Sequence, residues 1–127
     1  MTQVDAAIGA FATCMERLTL MNDVTLFTES EFNRTGNANS NVGTDHAWGS
    51  HHFVVGGAVK GDKASGTLPL HELGGRDDAG SRGLWIPSTS IDQYASTLGS
   101  WFGVSDADLS LAFPNLQYFT PQKLAFL

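Results

Sequence analysis

Between Gln3 and Leu20, apolar side chains recur in steps of three and four: Val4, Ile8, Phe11, Met15 and Leu18. That spacing puts them on one face of an α-helix. Thr2 is placed to cap it, with Asp5 three residues on, where the helix dipole favours an anion. Asn22-Asp23 breaks the pattern. Val24 to Thr28 follows, a β-branched and aromatic run that predicts a mostly buried strand. Residues 33 to 50 are rich in Asn, Gly, Ser and Thr and predict a long loop. His52 to Val59 predicts a second strand, in which Gly56 and Gly57 mark a bulge or a close backbone approach. Residues 60 to 83 are punctuated by Gly and Pro and predict surface loop. A second helix is expected after Pro87, with Ser90 as N-cap and Gln93 completing a capping box. Ile91, Tyr94, Ala95, Leu98 and Trp101 or Phe102 form its expected apolar face, and Gly103 its left-handed stop. A short helical turn capped by Ser105 comes next, ended by Phe113-Pro114 and an apolar, irregular tail.

The element order is helix, strand, loop, strand, loop, helix, helix, an α/β signature. Two or three strands cannot build a covered parallel sheet. Residues 1 to 127 therefore read as one partial domain, a piece of a larger α/β fold. With 42% hydrophobic and 16% charged residues the chain belongs to the globular class. The formal charge of -6, without any Lys/Arg cluster, argues against nucleic acid and anionic membranes as partners. No apolar run is long enough to span a bilayer, and Met1 to Asp5 lacks the basic head of a signal peptide. The single cysteine, Cys14, excludes an internal disulfide and reads as a small core residue.

The chemistry concentrates in Thr44-Asp45-His46-Ala47-Trp48-Gly49-Ser50-His51-His52. Imidazole and carboxylate are the preferred ligands of zinc and similar divalent metals, and one loop gathers them at small entropic cost. The segment reads first as part of a metal site and second as part of a metal-free catalytic site. Asp45 and His46 are the leading ligands; the bland alternative is a capping Asp beside a surface His. Alternation along the following strand allows one of His51 and His52 to serve the same centre, with His51 preferred. Glu29 and Glu31 close the first strand, where ligands bind in α/β sheets. Arg34 either clamps an anion such as phosphate or sulfate or pairs with a Glu. Trp48 either walls a pocket or staples the loop to the core. His71 reads as a surface residue. Asp77-Asp78, beside Gly74-Gly75 and Gly80, reads as a structural turn. A hydrolase without metal would need a serine near His46, and Ser50 is too close in sequence.

Phe27 to Thr35 resembles the Glu-Phe-Gly-Arg-Thr motif of the bacterial family called domain of unknown function 1501. Gly43 to Phe53 is similar to its Asp-His motif, and Val54 to Gly61 to its Gly-Gly-Ala-Val-Lys-Gly strand. Trp85-Ile86-Pro87, Asp92-Gln93-Tyr94, Trp101 to Val104 and Phe113 to Leu116 continue the pattern in order. The family is assigned to the alkaline-phosphatase and sulfatase-like superfamily. The resemblance implies the C-terminal part of an α/β/α sandwich that hydrolyses phosphate or sulfate esters with divalent metal, zinc for example. It implies ligation by Glu31, Asp45 and His46, with His51 or His52 close by, and a motif role for Arg34. Family members are considerably longer and exported, many by a twin-arginine signal. Their N-terminal half supplies the nucleophile and first metal aspartate, which this chain would need from that half or from a partner chain. Asn33 stands where the motif usually has Gly. The expected function is therefore the later part of a metal-dependent ester hydrolase, inactive alone. The alternative is a non-catalytic binding or scaffold module on the same fold.

Overall fold

Ser90 begins the best-specified element of the computed structural model, which describes residues 2 to 127. Its hydroxyl accepts from the backbone N–H of Asp92, and the Gln93 side chain reaches back to the Ser90 N–H, completing the expected capping box. The helix that follows, Ile91–Trp101, is the second in the chain and is called α2; α1 is Thr2–Arg17 and α3 is Asp106–Ala112. Gly103, at φ 100°, ends α2. Its N–H reaches Ser100 O, and that of Val104 reaches Gly99 O, so the last carbonyls are satisfied. Ser105 caps α3 as expected, accepting from Asp108 N.

The strands are shorter than the sequence pattern predicts, and they pair antiparallel. β1 (Leu26–Phe27) and β4 (Val54–Val55) pair antiparallel, with Leu26 opposite Val55 and Phe27 opposite Val54. Phe27 is exposed, so the first strand is not mostly buried. The expected 33-to-50 loop is itself a hairpin: β2 (Asn33–Arg34) pairs antiparallel with β3 (His46–Ala47). The described residues form a small mixed domain of three helices and short antiparallel strands. Gly56 and Gly57 do mark a close approach. The Gly57 N–H donates to Met21 O at 2.6 Å, and a side chain there would strike Asn22.

Three further expectations are corrected by packing. Thr2 is the first helical residue of α1 rather than its cap. Cys14 is exposed rather than in the core, because α1 buries no residue at all. On α2 the buried positions are Gln93, Ser96 and Thr97, while Ile91 and Phe102 of the expected apolar face are exposed. The polar side faces inward because it holds the main chain of the tail. Gln93 donates to Pro121 O, Ser96 Oγ donates to Gln122 O at 2.9 Å, and Leu124 N donates to Thr97 Oγ1 at 2.7 Å. The tail also contains a 3-10 turn, Pro114–Tyr118. Its Leu116, with Phe126, Leu109 and Ala47, makes up the buried hydrophobic set among the described residues.

Candidate functional site

The β2–β3 hairpin presents the motif residues, and a loop from Gly74 to Trp85 holds it in place. Asp78 organises that loop. Its buried carboxylate accepts from the backbone N–H groups of Gly74, Gly80, Gly83 and Leu84 at 2.8 to 3.1 Å. These donors, led by Gly74, pull its pKa from 3.8 to about 2 despite burial. The expected structural role of Asp77-Asp78 is what this geometry gives. Adjacent residues then clip the hairpin: Gly36 N donates to Gly83 O and Asn37 N to Arg82 O. Gly49 N donates to Trp85 O, and the Asn33 side-chain amide donates to Gly49 O. Asn33 thus has a task of its own at the position where the resembled motif carries glycine.

Asp45 is turned into this scaffold. Arg82 Nη1 binds its Oδ2 at 2.5 Å, and Asn39 Nδ2 donates to its Oδ1 at 2.9 Å. Asn39's amide and the Arg82 guanidinium hold the Asp45 carboxyl below its ordinary pKa. His46 points elsewhere. It is exposed and stacks on Phe32, ring centres 3.8 Å apart. Arg34 is the cross-strand partner of His46. Its guanidinium lies 5.1 Å from the centre of the same Phe32 ring, and its Nη1 donates to Thr44 O at 3.2 Å. The alternative Arg34–Glu ion pair is not formed: among the described residues the pairs are Arg82–Asp45, Arg76–Asp77 and Lys123–Asp106. Arg34, His46 and Phe32 therefore form one open cluster, with a cation and an imidazole on a shared aromatic base.

The remaining candidates are dispersed. Glu31 is exposed at the end of the β1–β2 connection. His51 lies against His71, which packs on Trp85. His52 stacks on Tyr94, and its Nδ1 is 3.4 Å from Thr28 Oγ1. Burial, and secondarily Glu29, raises the Tyr94 pKa, while the Tyr94 hydroxyl donates to Thr28 O. Trp48 is 60% exposed and so does not staple the loop to the core. Among the described residues, no three His, Cys, Asp or Glu side chains converge as a metal-binding group. Arg82, Asn39 and Phe32 escaped sequence reasoning. Arg82 lies far along the chain in a Gly-rich segment, and nothing local marks it as the partner of Asp45.

The family model described as Protein of unknown function (DUF1501) matches residues 1–80. The chain belongs to this family. No curated protein and no solved structure matches it. In this DUF1501 chain the matched span holds the whole hairpin, Asp78 and all four histidines. Arg82, which fixes Asp45, lies just beyond it.

Proposed function

We propose that this chain is the C-terminal part of an alkaline-phosphatase-like domain and supplies an anion-binding wall for a phosphate or sulfate ester. The open Arg34–His46 pair on Phe32 carries the reading. A guanidinium stays charged at any working pH and offers a planar fork of donors matched to phosphoryl or sulfuryl oxygens. His46 adds a second polar group on the same strand-pair position, and both lie against the Phe32 ring. The chain's net charge of -6 draws no anion by itself, so binding depends on these local donors.

A partial domain also accounts for the surface. A compact chain of 13.6 kDa exposes roughly 6,600 Å². This chain exposes 8668 Å². The excess of about 2,000 Å² is more than one partner buries in an ordinary stable interface. α1, with no buried residue, contributes to it. In this reading the covering mass is the N-terminal half or a partner chain, and the intact protein is exported. No helix among the described residues is long and apolar enough to cross a membrane.

The divalent metal implied by the superfamily does not fit the residues of this chain alone. Both Asp45 oxygens are occupied by Arg82 and Asn39, and His46 is stacked away from them. Glu31, Asp45, His46 and His51 would need ligands from elsewhere, so the chain alone binds an anion and does not turn it over.

The test is NMR titration of the chain with inorganic phosphate and with phenyl phosphate. Saturable shifts at Arg34, His46 and Phe32, lost in Arg34→Ala, are expected. Hydrolysis of phenyl phosphate by the isolated chain would overturn the claim of inactivity. The fixed Asp45 carboxylate favours a second reading, a non-catalytic scaffold module, and phosphate without effect on the hairpin would select it.

A further inference from the structure

His51 and His71 belong to separate loops, and the ester-site reading above uses them together in no way. Their ring centres nevertheless stand 6.1 Å apart, with the planes at 85°. Trp85 connects the two loops. Its carbonyl accepts from Gly49 N at 2.8 Å, which fixes the start of the His51 segment. Its indole backs the His71 ring at 4.7 Å between ring centres. The His71 loop is tied down separately, since Leu70 N donates to Asp77 Oδ2 at 2.8 Å. Both imidazoles are exposed, so each keeps an edge available to solvent and to ions.

We propose that His51 and His71 chelate one divalent transition metal, zinc or copper, leaving its other positions to water or a bound anion. Imidazole nitrogen suits these ions, whereas magnesium and calcium take oxygen ligands. With metal–nitrogen bonds of about 2.0–2.1 Å at tetrahedral angles, two imidazole centres sit roughly 5 Å apart. The ring centres here must approach by about 1 Å and side-chain rotation must turn a nitrogen of each ring toward the shared ion, which exposed side chains permit. The loops themselves are already held, so little chain entropy opposes closure. The centre uses neither Asp45 nor His46, and it takes His51, which the superfamily ligand set also names, to a different partner, His71.

The test is calorimetric titration of the tag-free chain with zinc chloride, with magnesium chloride as control. One zinc per chain is expected, with no magnesium heat. His51→Ala and His71→Ala should each weaken zinc binding by at least about tenfold, while His46→Ala and His52→Ala leave it unchanged. Copper(II) should broaden the imidazole proton signals of His51 and His71 together, which reports the site without any substitution. Zinc affinity unaffected by His71→Ala would overturn the proposal. So would loss of binding in His46→Ala, broadening centred on His46, or equal binding of magnesium.

Discussion

A methyl group added at Gly83 should loosen the hairpin from the loop that positions it. Gly83 is buried at φ 82°, a conformation that a residue with a Cβ adopts at a cost of about 1–2 kcal/mol. A Cβ there would lie 2.7 Å from Gly36 N and 2.8 Å from Gly36 Cα. Both are backbone atoms, so the two segments must separate, which adds roughly 1–3 kcal/mol. Alanine also restricts the unfolded chain, which offsets about 0.4–1 kcal/mol. The net destabilisation for Gly83→Ala is then roughly 1–4.6 kcal/mol. For 127 residues, each kcal/mol lowers the melting temperature by about 4 °C. A fall of about 4–18 °C by calorimetry is expected. Two controls separate strain from overlap. At Gly49 a Cβ would meet Trp85 O at 2.6 Å without a positive φ, so Gly49→Ala should fall less. At Gly61 it would meet nothing within 4 Å, so Gly61→Ala should hold or gain stability. Amide exchange at Gly36 and Asn37, which donate to Gly83 O and Arg82 O, should accelerate in Gly83→Ala alone. Equal melting temperatures for the Gly83 and Gly61 variants would refute the reasoning.

Asp78 has its pKa depressed from 3.8 to about 2, so the stability it contributes is full above its ordinary value and is lost as pH falls toward about 2. Melting temperature measured against pH should therefore drop between about pH 4 and 2 in the native chain, and less steeply in Asp78→Asn; parallel curves would contradict the assignment. Thr97→Val keeps shape but leaves the half-buried Leu124 N–H without its acceptor, a loss of about 1–3 kcal/mol. Urea unfolding should show a lower midpoint with an unchanged slope, and an unchanged midpoint would mean that the tail does not depend on this bond.

The helices were legible because their signals are local. The caps made by Ser90, the Gln93 side-chain oxygen, Gly103 and Ser105 each lie within one turn of the residue that makes them, and each is what its residue type suggests. The faces were less legible. Apolar periodicity assumes that a helix packs through side chains, whereas α2 turns Gln93, Ser96 and Thr97 inward to bind backbone groups of an irregular segment. The hairpin within residues 33–50 was hidden because its strands are two residues long, too short for alternation to register. The motif residues could be named, but their partners could not. Asp45 is separated from Arg82 by most of the loop region, and His51 from His71 by the β4 strand. A linear pattern carries no sign of either meeting. Asp45 and His46 were expected to share a centre from a loop, but β3 begins at His46, and extended backbone sends neighbouring side chains opposite ways.

The grip of α2 on the tail has a consequence for how this sequence can drift. Gln93, Ser96 and Thr97 hold the carbonyls of residues 121 and 122 and the N–H of residue 124. They read main-chain atoms, which every residue type except proline presents alike. Gln122 can therefore be exchanged freely so long as the backbone path is kept, while position 124 forbids proline. The constraint is carried by three helix positions, and those are the ones expected to resist change. A polar stripe of this kind, met on another helix of uncertain packing, is a reason to look for an irregular strand of chain lying along it.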